Sequence, residues 1–328
     1  MVMTQKDLKK LGEFGLIRKI QQQAGSAAHL VKGIGDDCAI QHQRAGWELL
    51  TSTDLLIEGV HFNRQWINME DLGRKAAAVN ISDIAAMGGQ PKSLFLGVAS
   101  PTDIAVAELE MFTCGFLREI ERYGATLAGG DTCRSLGPLL ISVTVQGEVE
   151  AGKAICRSGA QLGDAIYVSG TLGDSALALE KLLQGEPPTP FLLERHNTPT
   201  PRVELGRYLA THQLASAMLD LSDGLLSDLV HILQSSGVGA EIELEALPLS
   251  DEFSLACQQN EQLIDLALAG GEDYELLLTS PNQELSEVAI GGLKLTRVGT
   301  VRQGSGLAIK KPDGSLYQCS RGGFDHFS

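Results

Sequence analysis

The sequence predicts an α/β protein with two domains. A chain of 328 residues is long enough for two ordinary domains that each bury a core of their own. Patterns typical of strands alternate with amphipathic or alanine-rich patterns typical of helices along both halves of the chain. Hydrophobic residues make up 43% and charged residues 20% of the sequence, which indicates a globular protein. We place the boundary near residue 150, which gives domains of residues 1–150 and 151–328.

In the N-terminal half, leucine and isoleucine residues form one apolar stripe that predicts a helix over residues 5–24. A second helix is predicted over residues 71–89, with Asp71 as its N-cap and a pair of glycines as its end. The other elements predicted here are the loop GIGDDCA (33–39), a helix at about 103–123, and strands at 47–57, 92–100 and 139–149. A further short strand is predicted to end at AGGD (128–131).

In the C-terminal half, a second series of elements follows the turn sequence CRSGAQLGD (156–164). The segment 216–237 is a strand that runs directly into a helix, and the proline-rich GEPPTP (185–190) predicts a surface loop within this domain. The remaining predictions are strands at 165–170, 239–247, 273–280 and near 295–310, and helices at 173–183 and around 251–268.

The charge and the cysteines exclude several classes of protein. A net charge of −15 argues against a broad surface for nucleic acid or anionic membranes and favours metal cations, or anions that arrive with a metal. The six cysteines form no C-x-x-C pair, which argues against a zinc site and against the disulfide framework of a small secreted domain. The N-terminus lacks the apolar core of a signal peptide, and no apolar run approaches the roughly 20 residues that span a bilayer. We therefore expect a cytoplasmic protein.

Acidic residues recur at predicted strand ends and in glycine-rich turns. Ligands of α/β folds gather at strand ends, so this recurrence favours a shared binding site. Asp beside Gly is also typical of ordinary turns, where its side chain caps backbone N–H groups, and that alternative stands for each residue alone. The acids of this set are Asp36, Asp37, Asp54, Asp131, Asp220, Asp223, Glu272 and Asp273.

Asp83 is the most informative acid because it lies in a small, apolar helix pattern, AAAVNISDIAAMGG, on the same helix face as Asn80. A carboxylate buried in such a helix is strongly unfavourable unless a cation or hydrogen-bond donors meet it. One interpretation is a salt bridge to Lys75, which lies two turns away on a similar side of the helix. The other interpretation is a bound metal ion.

The nature of the ligands favours Mg²⁺ over zinc. Ser52, Thr53 and Asp54 stand side by side at a strand end, and oxygen ligands alone suit a hard cation. Because Mg²⁺ is commonly completed by substrate phosphates, acids from several elements predict a nucleotide site with more than one metal ion. The phosphate-loop sequence and the kinase glycine loop are both absent. Polyphosphate would then be held through bridging Mg²⁺, helped by Arg157, for which an ordinary surface role is the alternative.

A series of short motifs follows one another from Gly12 to the C-terminal GFDHF. In order, they are GEFGLI, GIGDDCA, STD followed by GVHF, KAAAVNISDIAAMGG, AGGDT, RSGA, SGTLGDS, LDLSDGL and GGEDYEL. This order resembles the thiamine-monophosphate kinase family, in the superfamily of aminoimidazole ribonucleotide synthetase and selenophosphate synthetase. The resemblance implies ATP-dependent phosphorylation of thiamine monophosphate to thiamine diphosphate. It also implies two PurM-like domains, each a mixed sheet flanked by helices, and a homodimer in which the N-terminal sheets pair.

The resemblance assigns roles to the acids and to a few other residues, with the C-terminal domain completing the site of the N-terminal one. The implied Mg²⁺ ligands are Asp37, Ser52, Thr53, Asp54, Asp83, Asp131, Asp220 and Asp223. The implied ATP contacts are Gly130, Asp131, Arg157 and Ser222. The implied contacts to thiamine monophosphate are His61, Glu272 and Phe324, the last by stacking of its ring.

The proposed acceptor explains why the sequence offers no obvious catalytic base. A phosphate monoester has a second pKa of about 6, so at neutral pH it is already an anion. The difficulty is the repulsion between two phosphates, which Mg²⁺ ions held by the acids would reduce while aligning the attacking and leaving oxygens. We therefore expect direct in-line transfer with no general base. His61 orients the acceptor phosphate in this scheme, and a packing or capping role is the alternative.

Three other functions compete with this interpretation. Among superfamily enzymes, selenophosphate synthetase is disfavoured because no cysteine precedes Cys38, and aminoimidazole ribonucleotide synthetase is disfavoured by GVHF and GGEDYEL. A metal-dependent phosphohydrolase would use similar acids to activate water. A maturation scaffold related to the hydrogenase-maturation proteins would bind Mg²⁺ and ATP without forming thiamine diphosphate.

Overall fold

The computed structural model describes residues 18–25, 27–32, 34, 39–287, 289–290 and 292–322. They form two compact units. Unit 1 comprises the described residues up to Ile84 together with Gly89–Gly152, and unit 2 comprises Ala85–Gly88 and the described residues from Lys153 onward. None of the helices in these ranges is long and apolar enough to cross a membrane.

Unit 1 is built on a four-stranded mixed sheet with the strand order β3-β6-β4-β5. β3 and β4 each pair antiparallel with β6, and β4 pairs parallel with β5. A short antiparallel pair, β1 with β2, precedes this sheet. The elements are helix α1 (18–24), β1 (Leu30–Lys32), β2 (Ile40–Gln41), β3 (Trp47–Ile57), α2 (Met69–Ala86), β4 (Gln90–Ser100), α3 (Val106–Arg122), β5 (Thr126–Arg134) and β6 (Leu140–Glu150).

The two faces of this sheet differ in burial. On β3, Leu50 and Leu56 are buried, whereas Leu49 and Leu55 are each 53% exposed. Helix α2 covers the buried face, because a Cβ at Gly89 would lie against both Leu50 and Ile84. The alternation of the strand therefore places every second residue of TSTD on the helix side and the others on the open side.

Helix α2 begins earlier than its sequence suggests. The prediction that Asp71 is the N-cap is wrong: the helix starts at Met69, and the Asn68 Oδ1 accepts a hydrogen bond of 2.9 Å from the Asp71 N–H. Asn68 in turn donates to the Asp71 carboxylate at 2.7 Å. Asp71 is thus the third helical residue, where its negative charge is favourable near the positive end of the helix dipole. The predicted glycine end is confirmed, since Gly88, two residues after the last helical residue, has a φ of +74°.

Unit 2 contains a seven-stranded mixed sheet with the order β13-β9-β12-β7-β10-β8, and β11 pairs with β12. Only β13 and β9 pair in parallel among its described strands. The strands are β7 (Ala165–Ser169), β8 (Ala217–Asp220), β9 (Gly239–Glu243), β10 (Leu276–Ser280), β11 (Ala289–Ile290), β12 (Leu293–Arg302) and β13 (Gly306–Lys310). The helices are α4 (Asp174–Leu183), α5 (Pro190–Asn197), α6 (Val203–Thr211), α7 (Leu225–Ser236), α8 (Asp251–Gln259) and α9 (Ile264–Ala269).

The unit 2 sheet is buried on both faces. Ile166 and Val168 of β7 belong to a core shared with helices on one side, and Tyr167 belongs to a second core that includes Leu205 and Leu209 of α6. This arrangement explains why the strands of this half read as continuous apolar runs rather than as alternating patterns. The predicted α/β class, with a mixed sheet and flanking helices in each half, is confirmed.

Helices α5 and α6 were not predicted from the sequence. The prediction of a loop over 185–190 is wrong at its last residue, because Pro190 is the first residue of α5 and Thr189 caps it through a 3.3 Å bond from the Leu192 N–H. Proline at the first helical position is favourable, since that position needs no N–H donor. These two helices matter below because α5 carries Arg195 and His196, and Arg202 directly precedes α6.

Candidate functional site

Three of the predicted side chains meet on the helix side of the unit 1 sheet. The Ser52 Oγ of β3 donates a hydrogen bond of 2.5 Å to the Asp83 Oδ2 of α2. Asp54 lies two residues further along the same face of β3. Burial, together with the nearby negative charge of Asp83, raises the pKa of Asp54 to about 6. The two carboxylates are therefore close enough to repel each other.

The Thr53 side chain lies on the opposite face of the sheet. Its Oγ1 donates to the Val143 main-chain oxygen at 3.1 Å and lies 3.1 Å from the Thr144 Oγ1 on β6. The Thr53 hydroxyl is therefore not directed to the place where Ser52 and Asp54 meet Asp83. Any ligand that Thr53 offers on that side of the sheet is its main-chain oxygen.

The Ser52–Asp54–Asp83 arrangement suits a hard cation. Two partly buried carboxylates that repel each other are stabilised when a divalent ion lies between them, and serine and aspartate oxygens are ligands that Mg²⁺ accepts. Within the described ranges, no group of three or more His, Cys, Asp or Glu side chains is arranged to hold a metal ion. Lys75, the alternative partner of Asp83, is buried in the same helix with 1% of its surface exposed.

Gly130 and Asp131 lie in β5, at the opposite edge of the sheet from β3. The register runs from Asp54 through Val143 and Leu96 to Gly130, so three inter-strand spacings separate the edges. At about 4.8 Å per spacing, the distance across the sheet is roughly 14 Å. One chain therefore does not bring Asp131 to the Asp54–Asp83 pair.

Gly130 is required by the backbone of β5. Its φ is +157°, and a Cβ at this position would lie 2.0 Å from the Leu96 main-chain oxygen. The register between β4 and β5 shifts just before it, between Leu94 and Phe95. A small, mostly apolar hollow opens beside this bulge and is lined in part by Ile20, Leu127 and Asp131. Bulges of this kind often lie next to functional sites.

In unit 2, the motifs LDLSDGL and GGEDYEL lie side by side. The Leu221 N–H donates to the Glu275 oxygen at 2.9 Å, and the Tyr274 N–H donates to the Leu221 oxygen at 2.9 Å. The Glu272 N–H then donates to the Ser222 oxygen at 2.8 Å. The pairing of β8 with β10 thus continues beyond both strands and brings the predicted residues Ser222 and Glu272 together.

Asp223 and Arg157 lie near a carboxylate that the sequence analysis did not select, Asp228. The Asp228 Oδ2 accepts 3.0 Å hydrogen bonds from the N–H groups of Asp223 and Gly224. Burial raises the pKa of Asp228 to about 7, the charge of Asp223 adds to this shift, and the charge of Arg157 opposes it. Arg157 therefore lies close to the LDLSDGL loop, although its own side chain is exposed. Asp220, at the end of β8, is buried with 7% exposure.

Glu272 and Tyr274 have backbone conformations that are unusual for residues with side chains, with φ values of +66° and +49°. The preceding glycine is needed for the close contact of the two loops, because a Cβ at Gly271 would lie 2.4 Å from the Ser222 oxygen. Such strain persists only where the surroundings hold the chain firmly, and it is common at functional sites.

A buried network of charges holds this loop. The Arg202 Nε donates to the Glu275 Oε2 at 2.6 Å, its Nη2 donates to the Oε1, and the Arg195 Nη2 donates to the Oε1 at 3.0 Å. Burial alone would raise the pKa of Glu275, but the two guanidinium groups lower it. Two residues earlier, the two carboxylate oxygens of Asp273 share the Gly173 N–H at 3.1 and 2.9 Å, and burial raises the pKa of Asp273 to about 8. Sequence analysis missed both arginines, which lie outside all the recognised motifs.

His61 lies in the turn that follows β3. The His61 ring nitrogen Nδ1 accepts a 3.0 Å hydrogen bond from the Ile57 N–H. The main-chain N–H of His61 donates to the Ile57 main-chain oxygen at 2.9 Å. The neutral ring must then carry its proton on Nε2. The histidine closes this turn, which agrees with the capping alternative, and its Nε2–H is a donor of the kind that a phosphate accepts. Asp37 and Phe324 lie outside the described residues.

The sequence and the fold are similar to those of known proteins. Residues 35–149 match the family model of the AIR synthase related protein, N-terminal domain, and residues 161–311 match that of its C-terminal domain. The thiamine-monophosphate kinase of Haemophilus influenzae is 42% identical over 332 residues, which cover 97% of this chain and 98% of that protein.

Two solved structures have the same architecture. The crystal structure of thiamine-monophosphate kinase from Stenotrophomonas maltophilia has a TM-score of 0.81 and 39% identity, and the match covers 92% of this chain and 96% of that chain. The complex of AaThiL with AMPPCP and TMP has a TM-score of 0.77 and 41% identity, and the match covers 98% of each chain. These similarities confirm the resemblance that the motifs indicated and its PurM-like two-domain fold. The chain belongs to the thiamine-monophosphate kinase family.

Proposed function

We propose that the protein transfers the γ-phosphoryl group of ATP to thiamine monophosphate and so forms thiamine diphosphate. The family relationship covers nearly the whole chain, and a relative has been solved with AMPPCP and TMP. The observation that carries the proposal for this chain is the Asp54–Asp83 pair, joined to Ser52 by a 2.5 Å hydrogen bond. Two repelling carboxylates, one on the sheet and one on the helix that covers it, are a suitable anchor for a divalent ion that accompanies ATP.

We assign Mg²⁺ to this site, with the side chains of Asp54, Asp83 and Ser52 as ligands and Thr53 acting through its main chain. When bound, Mg²⁺ supplies positive charge that stabilises the transferring phosphoryl group. The raised pKa of Asp54 fits this assignment, because a cation would offset both the burial and the repulsion from Asp83 that raise it. The further ligands that we propose are Asp37, Asp131, Asp220 and Asp223.

The ATP contacts that we propose are Gly130, Asp131, Arg157 and Ser222. Gly130 supports this role by leaving its backbone bare where a side chain would not fit. The charge of Arg157 acts on Asp228 beside the LDLSDGL loop, so a guanidinium group is available there for a polyphosphate. Ser222 lies in the same loop, held by the Glu272 N–H.

The acceptor contacts that we propose are His61, Glu272 and Phe324. His61 offers its Nε2–H to the phosphate, and Glu272 offers a negative charge that suits the cationic thiazolium of thiamine. No general base is assigned, because the acceptor oxygen is already anionic at neutral pH. The reaction is then direct in-line transfer between two bound phosphates.

We also propose that the active protein is a homodimer joined through the N-terminal sheets. The half-exposed Leu49 and Leu55 on the open face of β3 are the kind of apolar surface that a second copy would cover. A second copy would also allow Asp54 and Asp131, roughly 14 Å apart across one sheet, to serve the same nucleotide from different chains. Size-exclusion chromatography with light scattering measures the mass, and a monomer at micromolar concentration would contradict the dimer.

Mixing two inactive variants tests whether the two chains share a site. If Asp54 and Asp131 of different copies serve one nucleotide, half of the sites in a D54N/D131N heterodimer are intact. Random exchange of subunits then restores about a quarter of the wild-type activity. If both carboxylates of a site come from one chain, no activity returns.

The function itself is tested by incubating the protein with ATP, Mg²⁺ and thiamine monophosphate and separating the products by chromatography. We expect thiamine diphosphate in amounts equal to the ADP formed. Release of phosphate from ATP without an acceptor would instead support the phosphohydrolase. Binding of ATP without any thiamine diphosphate would support the maturation scaffold, and equal phosphorylation of unphosphorylated thiamine would contradict the proposed acceptor.

A further inference from the structure

His196 of α5 lies beside the loop that carries Glu272. Only 5% of its surface is exposed. The His196 Nδ1 is 3.3 Å from the Glu272 Oε2 and 2.9 Å from the Ser175 Oγ at the start of α4. None of the recognised motifs contains His196, and it has no role in the reaction proposed above.

The Glu272 carboxylate determines whether the facing nitrogen of His196 carries a proton. An unprotonated ring nitrogen and a carboxylate oxygen both present lone pairs, so they would repel each other at 3.3 Å. The contact is favourable when the His196 Nδ1 carries a proton and donates it toward Glu272. The Oγ of Ser175, which is 1% exposed, lies 2.9 Å from the same nitrogen, so it shares the Nδ1–H with Glu272 and limits rotation of the ring.

The main chain of Glu272 is already fixed, so the side chain is what remains to be oriented. Its N–H is bonded to the Ser222 oxygen, and its φ of +66° is held by the packing of the two loops. The two carboxylates that follow it in the sequence are less free still: Asp273 is 2% exposed and Glu275 is fully buried. Glu272 is thus a partly exposed carboxylate on a rigid loop, with His196 as a buried partner beneath it.

We propose that His196 is a positioning residue, which holds the Glu272 carboxylate in the orientation in which it meets the acceptor substrate. This inference rests on the proposed function, in which Glu272 contacts thiamine monophosphate. The role is one of orientation, since His196 is buried and reaches the substrate only through Glu272. Carboxylates held by a second, charge-assisted hydrogen bond are better pre-organised for binding than free ones.

The test compares H196A with H196N, because the asparagine amide can place a donor near the position of Nδ1. For H196A we expect kcat/KM for thiamine monophosphate to fall about 10- to 100-fold, the usual range for losing a hydrogen bond to a charged group. The fall should come mainly from a higher KM for the acceptor, with KM for ATP unchanged. H196N should recover most of the loss.

Three further experiments separate positioning from folding. L192A removes a buried side chain of the same helix, and we expect it to lower the melting temperature without changing KM for the acceptor. S175A releases the ring and should raise that KM by less than H196A does. In an E272A background, H196A should have no further effect on KM, because the residue that it positions is gone.

The outcomes distinguish this inference from the proposed function. If the wild-type protein forms no thiamine diphosphate and binds no thiamine monophosphate in calorimetric titrations, the proposed function fails. If the wild type is active but H196A and L192A change the melting temperature alike and leave KM for the acceptor unchanged, the positioning role is overturned. Equal increases in KM for ATP and for the acceptor, or additive effects of H196A and E272A, would also overturn it.

Discussion

Replacing Arg202 by methionine should destabilise unit 2 strongly. The arginine donates two hydrogen bonds to Glu275, which is completely buried, so its loss leaves a buried carboxylate with fewer partners. Breaking a buried ion pair typically costs about 3–5 kcal/mol, and Arg195 remains bonded to the same carboxylate, which places the expected loss near the lower end, at about 3 kcal/mol. For a domain of this size, that corresponds to a fall in melting temperature of about 6–12 °C.

Calorimetry and urea unfolding monitored by circular dichroism measure this effect, with R207M as the matched control. Arg207 is exposed on α6, so its replacement should change stability by no more than about 0.5 kcal/mol. The pH dependence gives an independent check. Because the pKa of Glu275 is lowered in the folded state, its contribution is present above the unfolded pKa of about 4.3 and is lost in more acidic solution. The difference between wild type and R202M should therefore shrink in acid, and equal stability of the two at pH 7 would refute the reasoning.

Three further predictions concern the proposed site. D54N should lower kcat/KM at least about 100-fold, as measured by steady-state kinetics. Its stability at pH 8, measured by thermal unfolding, should be unchanged or higher, because the substitution removes a carboxylate whose pKa is raised in the folded state. Near-normal activity would contradict the metal assignment. The pKa of Asp228 is about 7 in the folded state, so the ionisation of Asp228 should lower wild-type stability as pH rises from about 4 to 7. D228N should reduce this dependence of stability on pH, as measured by denaturant titrations. An unchanged dependence would exclude Asp228 as its cause. G130A should destabilise unit 1 by at least about 2 kcal/mol, because the new Cβ would lie 2.0 Å from the Leu96 main-chain oxygen. G137A, with open space around Gly137, should leave the stability unchanged. Equal melting temperatures of the two variants would contradict this prediction and show that β5 can shift.

The elements that sequence analysis located best are those with a local signal. The strand WELLTSTDLLI has the predicted bounds, and the helix rich in alanine ends before the predicted glycine pair. The start of that helix was misplaced because Asn68 and Asp71 are both good caps, and only the backbone decides between them. The helices after GEPPTP were missed because proline punctuates loops and also begins helices, and the two uses look alike in sequence.

The site was harder to predict wherever it depends on pairing across the fold. Asp83 was selected because a carboxylate in an apolar helix needs a partner, and Ser52 does donate to it. Nothing local, by contrast, connects Glu275 with Arg195 and Arg202, which lie 80 and 73 residues away along the chain. The face on which the Thr53 hydroxyl lies follows from strand alternation, which a list of adjacent oxygen-bearing residues ignores.

The left-handed conformation of Glu272 has a consequence for how this chain tolerates change. Glycine adopts a φ of +66° without steric penalty, whereas a residue with a side chain pays about 1–2 kcal/mol for it. A glycine at this position should therefore yield a more stable protein that binds the acceptor substrate more weakly. Libraries selected for heat resistance alone should enrich such a variant, while libraries selected for growth without added vitamin should discard it.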